Sequence, residues 1–438
     1  MVIRFMKVYS FPRGGLNFED PAVPATKSSE SAFLPVLSII PMMQESGGRT
    51  YPVVSSGDMV REGMLVARAS GPGAANVHAT VPGRVIRNTS WKNNEGSVID
   101  ALIIRMEGSF DRLGRHEETF PWTGMGCFEI QRLIAEYGVV EMEGRGRPVS
   151  ELISGFRNSP DPLILVVRCV FDDPWLAADY VLCKERLRAV AEGSFIAARA
   201  GGRVSRIVFA VSRRDKELGE MLLSESSLGE FPCSLVLVGS RYPQRNHHEL
   251  ELVLNRFFKK EGIEPGSMLI LGPATLAAIY DAIKLKKPAL DRYIAVGGSA
   301  VRKPKVLKAR IGTRLAEIFA ACGGFVDTPR HIIAGSPLSG REVRDLNEPV
   351  VKTTFAVFAN LKSSISGESD RNCISCGECR SVCPIGLDPE ELYKQAMRVQ
   401  NAIGAAECHG CGCCEVVCPS HLPLAGVILE KYRGSSHG

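Results

Sequence analysis

Cys373-Ile-Ser-Cys376-Gly-Glu-Cys379-Arg-Ser-Val-Cys383-Pro384 and Cys408-His-Gly-Cys411-Gly-Cys-Cys414-Glu-Val-Val-Cys418-Pro419 share one spacing, C-x2-C-x2-C-x3-C-P. Three cysteines in so tight a turn reach three irons of one cubane, while the fourth, at the start of a helix, turns toward a partner cluster. The spacing therefore predicts two [4Fe-4S] clusters. Cys373, Cys376, Cys379 and Cys418 are expected to hold one, and Cys408, Cys411, Cys414 and Cys383 the other. Pro384 and Pro419 stop the local helix and turn the chain away from each cluster. Cys413 is the spare cysteine of the second run and is expected to pack beside its cluster. Paired cysteines also hold tetrahedral zinc. Zinc needs only four thiolates per site and gives no reason for two matched quartets that each end in proline.

This spacing is that of a bacterial two-cluster ferredoxin, so the end of the chain reads as a conductor of electrons. The remaining sequence is too long for that alone: 438 residues suggest about three domains, and 45% hydrophobic content supplies ordinary cores. Six further cysteines, Cys127, Cys169, Cys183, Cys233, Cys322 and Cys413, follow no framework spacing, which favours a reducing cytosol over a disulfide-bonded chain. The first residues, MVIRFMKVYSFPRGG, contain no signal-peptide core, and no window approaches the roughly 20 apolar residues of a membrane span. The chain is expected not to cross a membrane. From Arg371 onward six Lys/Arg face seven Asp/Glu, so the net charge of +5 lies upstream. A free ferredoxin steered by charge would carry a stronger bias, so fixed contacts in an assembly are the better expectation. Nucleic acid is not an expected partner, because no lysine and arginine cluster is interleaved with aromatics; Lys303, Lys305, Lys308 and Arg310 read as a solvated face.

Upstream, short apolar runs between Gly and Pro over residues 36–106 are all-β punctuation. They resemble a barrel-sandwich hybrid of the biotinyl-lipoyl kind, without the carrier lysine, because the hairpin region reads Asn76-Val77-His78-Ala79. His78 is expected to be structural. Helices then alternate with apolar strands: Ile130 to Tyr137 and Ala274 to Ile283 have helical spacing, while Leu163 to Phe171, Val204 to Val211 and Cys233 to Val238 read as parallel strands. Arg292 to Val301, Lys305 to Gly312 and the helix Leu315 to Ala321 suggest a small mixed β unit. The fold class is thus multidomain α+β. The expected domains are a barrel-sandwich hybrid at 1–112, an α/β domain at 113–290, a β-grasp unit of the soluble-ligand-binding type at 291–345, a linker at 346–370, and a two-cluster ferredoxin domain at 371–438. The serine-rich stretch 362–370 closes that linker.

This order of parts, opening with Phe11-Pro12 and Gly14-Gly15, resembles the C subunit of the Rnf electron-transport complex over nearly the whole chain. Local matches are Tyr242-Pro-Gln244, the Ala278-Ile-Tyr-Asp-Ala282 helix with Lys287-Pro288, Ile311-Gly-Thr313 and Ile332-Ile-Ala-Gly-Ser-Pro-Leu-Ser-Gly340. The resemblance implies a peripheral subunit on the cytoplasmic face of the inner membrane, with membrane subunits as partners. It also implies an α/β domain like the complex I flavin subunit, with NADH and FMN on a glycine-rich loop. That loop runs approximately G-I-V-G-x-G-G-A-G-F-P in relatives. Here the matching stretch is Gly138-Val-Val-Glu-Met-Glu-Gly-Arg-Gly-Arg-Pro148, with Glu141 and Glu143 in place of glycines and only Gly138, Gly144 and Gly146 left. Added carboxylates repel a phosphate and fill its space. The family's N-G-A-E-C-E-P-Y stretch becomes Arg168-Cys-Val-Phe-Asp-Asp-Pro-Trp175, which keeps Asp173 but loses the asparagine and an acid to Arg168 and Phe171. Y-P-Q-G-G becomes Tyr242-Pro-Gln-Arg-Asn246. Gly124-Met125-Gly126 reads as an ordinary turn. FMN is therefore not expected, and a reduced carrier such as a ferredoxin or flavodoxin is the expected electron donor. Two other readings stay open: an NADH dehydrogenase subunit that keeps FMN, and a scaffold whose cysteines hold zinc.

Overall fold

The fold was analysed in a computed structural model that describes residues 2–18, 28–43, 48–92, 98–110, 118–226, 229–264, 266–336, 338, 340–361, 372–398 and 405–435. The serine-rich stretch 362–370 lies outside them.

Runs such as Leu163–Cys169 and Cys233–Val238 carry apolar side chains on both faces, which suits strands covered by helices on either side. They lie in an all-parallel five-stranded sheet in the order Val2–Tyr9, Cys233–Val238, Val204–Ser212, Leu163–Cys169, Ser267–Leu271. Leu163, Leu165 and Val167 face one core with the helices Cys127–Glu136, Leu187–Gly201 and Pro273–Lys284. Ile164 and Val166 face a second core with Leu254, Phe257 and Phe258 of the helix His247–Glu261. Gly193 lets the two longest helices of the first core meet, since a Cβ there would collide with the Leu276 carbonyl.

The barrel-sandwich unit consists of a four-stranded sheet (Leu37–Pro41, Val98–Met106, Gly83–Lys92, Met59–Val60) against a three-stranded one (Arg49–Pro52, Leu65–Ser70, Val77–His78). Residues 1–112 are not one unit, however. Val2–Tyr9 is an edge strand of the parallel sheet, and Ser29–Ser31 pairs with Lys305–Arg310. The first strand, VIRFMKVY, has apolar pairs separated by Arg4 and Lys7 and no clean alternation that would assign it to either sheet, so only long-range pairing decides it.

The β-grasp unit also exceeds its expected range. Its six-stranded sheet runs Arg341–Glu342, His331–Ala334, Ala356–Asn360, Asp291–Gly297, Lys305–Arg310, Ser29–Ser31, with the helix Leu315–Ala321 packed against it. Ala356–Asn360, inside the segment assigned to a linker, is a central strand, parallel to Asp291–Gly297 and antiparallel to His331–Ala334. Four of its five residues are buried. The last unit repeats a short helix followed by a longer one: Glu378–Ser381 with Pro389–Arg398, and Cys413–Val416 with Leu424–Ser435.

Candidate metal centres

Each cysteine run folds around three left-handed positions. Ser375, Gly377 and Gly386 have φ of 55°, 76° and 79°, and the matching Gly410, Gly412 and His421 have 67°, 77° and 51°. Such turns aim backbone N–H groups inward, toward sulfur. Ser375 N donates to Cys373 Sγ at 3.4 Å and Leu387 N to Cys383 Sγ at 3.2 Å.

The eight cysteines separate into two groups. Cys373, Cys376, Cys379 and Cys418 border one small space together with Ile374 and Leu424. Cys383, Cys408, Cys411 and Cys414 border another with Leu392 and Ile428. Among the described residues no three Cys, His, Asp or Glu side chains converge on the position of a single ion. Each space is lined by four cysteines, the donor set of a [4Fe-4S] cubane. Burial pushes the Cys379 and Cys408 thiols up. Deprotonating them takes a strong local positive charge, which iron provides. Cys413 is fully buried and lines the second space.

The two groups differ in setting. Cys376 is exposed, and its neighbour Ile374 keeps 65% of its surface in solvent. The second group lies against the α/β unit. Tyr242 Oη donates to Cys411 O at 2.7 Å, Gly15 N to Val382 O at 2.9 Å, and His409 Nδ1 lies 3.3 Å from Glu249 Oε1. The Phe11-Pro-Arg-Gly-Gly15 segment therefore also serves as a seat for the metal unit. Sequence reasoning missed this role, although two consecutive glycines with φ of 64° and 77° are the signal for it.

The glycine-poor loop is closed on itself. Glu141 N donates to Arg147 O at 2.8 Å, and the two side chains pair. Glu143 Oε1 accepts from Ala274 N at 2.6 Å and Thr275 N at 3.1 Å, and Oε2 accepts from Thr275 Oγ1. The carboxylate thus caps the helix Pro273–Lys284, the position where a helix N-terminus would otherwise hold a phosphate. Glu143, Arg168, Phe171, Asp179 and Arg245 close in on one another and leave no room for even a water molecule between them. Arg292 and Asp179 form a buried pair at 3.2 Å.

The remaining residues of the expected flavin loop serve structure. Gly138 has φ of 61° and abuts the Asn76 carbonyl, with Lys352 Nζ donating to both carbonyls. Gly144 sits against the Glu141 carboxylate, and Gly146 has φ of 73° in the turn. Asp173 accepts from Trp175 N at 3.0 Å and Ser336 Oγ at 2.7 Å, tying the α/β unit to the β-grasp sheet. Carboxylates and their hydrogen bonds thus stand where a glycine-rich loop would leave backbone amides open.

Comparison with known proteins agrees with this geometry. Residues 10–109 match the RnfC barrel sandwich hybrid domain, 293–345 the NQRA C-terminal domain and 372–422 a 4Fe-4S dicluster domain. The C subunit of an ion-translocating oxidoreductase complex from Rhodobacter capsulatus is 30% identical over 367 residues, covering 83% of this chain and 70% of that protein. The chain belongs to the C-subunit family of ion-translocating Rnf oxidoreductase complexes. The C subunit of a proton-translocating ferredoxin:NAD(+) oxidoreductase complex from Clostridium ljungdahlii is 27% identical over 404 residues, 89% of this chain and 87% of that one. Acetobacterium woodii has a Na(+)-translocating counterpart, 26% identical over 83% of this chain and 82% of its own length. An NAD+-reducing [NiFe]-hydrogenase in its H2-reduced state superposes with a TM-score of 0.46 at 15% identity, over 57% of this chain and 50% of that chain. No helix among the described residues is long and apolar enough to cross a membrane.

Proposed function

We propose that this Rnf C-type protein is an electron relay whose NADH and FMN site has been lost. It docks on the cytoplasmic face of the membrane against the integral subunits of its complex. Two [4Fe-4S] clusters, held by the two cysteine quartets, supply one-electron conduction when bound. The observation that carries the reading is the pairing of two sulfur-lined spaces with a blocked cofactor loop. Glu143 satisfies the helix N-terminus that a phosphate would need, and Arg168 and Phe171 take up the volume beside it.

The chain's own residues divide the labour. The Cys373 quartet, with exposed Cys376 and Ile374, is the face for a soluble ferredoxin- or flavodoxin-type carrier. The Cys383 quartet, none of whose cysteines is fully exposed, is fixed by Tyr242 and Glu249, so the distance between the two sites is set by the fold. A zinc scaffold is disfavoured because two quartets of matched C-x2-C-x2-C-x3-C-P spacing serve no zinc site, and residues 372–422 match a 4Fe-4S dicluster domain.

The test is anaerobic. After cluster reconstitution, NADH is added with and without FMN while the iron-sulfur absorbance is followed, with dithionite as control. Bleaching by dithionite alone is the expected result. Bleaching by NADH would overturn the reading of the blocked loop, and acid-labile sulfide absent from the reconstituted chain would overturn the clusters.

A further inference from the structure

Where the barrel-sandwich, α/β and β-grasp units meet, the structure leaves a cleft of about 810 Å³, within the size range of small-molecule sites. Its floor is one face of the helix Pro273–Lys284, where Ala274, Ala277 and Ala278 present only methyl groups. Phe120, Leu182 and Tyr293 add apolar wall. None of the eight cluster cysteines borders it.

The charge of this lining is one-sided. Arg61, Arg186, Lys286, Lys287, Arg292 and Lys308 face only Glu118, Asp281 and Asp291. Two of those three acids are already engaged. Asp281 takes a two-point bond from Arg186 at 2.9 and 2.6 Å, and Asp291 is paired with Arg310 at 3.3 Å and Lys308 at 4.0 Å. Arg61 makes no ion pair among the described residues, and Lys287 shares only the field of Glu62, a carboxylate that Arg310 already holds at 2.6 Å. Arg292 is only 1% exposed, and its single engaged nitrogen, Nη2, reaches Asp179 Oδ1 at 3.2 Å and Met142 O at 3.4 Å. Nε and Nη1 of the same guanidinium have no partner. Lys286 is a non-glycine residue held at φ of 47°, with its ammonium 3.7 Å from the centroid of the Phe120 ring.

Unanswered cations around a roomy, partly apolar cleft repel one another and are relieved by an anion that also fills the space. We propose that this cleft is a binding site for a nucleoside phosphate, its phosphates answered by Arg61, Lys287 and the Arg292 side of the cleft and its ring lying near Phe120 on the alanine floor. The ligand would act as an effector, because no redox group adjoins it. The proposal is independent of the relay reading, since it uses no cluster.

Isothermal titration of the reconstituted full chain with ADP tests it, with adenosine and pyrophosphate as ring-only and charge-only probes. The expected result is saturable ADP binding that weakens with added salt and falls about tenfold or more in an Arg61→Ala, Lys287→Ala double variant. Adenosine and pyrophosphate should each bind more weakly than ADP. Absence of saturable ADP binding into the millimolar range would overturn the site. So would a double variant of unchanged melting temperature that binds ADP as tightly as the parent. Pyrophosphate matching ADP would overturn the nucleotide assignment.

Discussion

His78 shows what a single buried side chain contributes when it has no chemistry to perform. It lies in the strand Val77–His78, its ring 6.5 Å from and nearly parallel to that of Tyr137, and its Nδ1 has no partner. Burial first, and Lys352 second, pull its imidazole from 6.5 down to about 3. The unfolded chain therefore binds a proton below about pH 6.5 that the folded chain refuses. The site's contribution to stability is complete above that pH and drains away as pH falls toward 3. Denaturant midpoints of the parent should drop between about pH 7 and about pH 4.5 more steeply than those of His78→Gln. Parallel slopes would show that His78 is not the titrating group. The structural role expected for this histidine is the one it has, but the Asn76-Val77-His78-Ala79 stretch is an interdomain contact and not an exposed tip, with Asn76 Nδ2 donating to Glu136 O at 3.0 Å.

Among elements, the segment Phe11 to Gly15 joins the metal unit to the α/β unit. Arg241 fastens it, donating to Gly14 O at 2.7 Å and Phe11 O at 3.0 Å while its guanidinium lies 4.7 Å from the Phe11 ring centroid. A Cβ on Gly14 would sit 2.6 Å from Val382 O, at a φ of 64°. Gly14→Ala should therefore loosen the seat by about 1–3 kcal/mol, read as faster tryptic release of the metal unit from the rest of the chain. Unchanged protection would mean that Tyr242 and Glu249 hold the unit without it. The parts legible in the sequence were those with local signatures. Two cysteine quartets announced themselves by spacing, and Leu163–Cys169 and Cys233–Val238 by unbroken apolar runs. Val2–Tyr9 and Ala356–Asn360 were not legible, because a strand's sheet is chosen by distant partners, as in Val2 with Cys233, 231 positions away, and Ala356 with Ala295, 61 positions away. Glu143 was legible as an obstacle to phosphate. Its service as the helix cap needed the coordinates of Ala274 and Thr275.

At the scale of the whole molecule, the two quartets are placed unequally: one group has an exposed cysteine, Cys376, while every cysteine of the other is buried or half-buried and the group lies against the α/β unit. Traffic with a soluble carrier is then expected to depend on Ile374, which projects beside the outer group. Ile374→Asp should slow reduction by a reduced ferredoxin or flavodoxin about tenfold while leaving reduction by dithionite unchanged, because a small reductant does not need the patch. Equal slowing with both reductants would point to damage at the cluster, and equal rates with both would place the carrier elsewhere.

The carboxylate at the head of the helix Pro273–Lys284 has a kinetic meaning as well. Glu143 is tethered by its own chain to the amides it occupies, and even a loose tether presents a group at an effective concentration on the order of millimolar. A dissolved phosphate must compete with a rival that never diffuses away. On the proposed relay reading, that helix end would stay silent to fluctuations in the surrounding pool of nucleotides and flavins, as under an inhibitor that needs no synthesis, no release and no regulation.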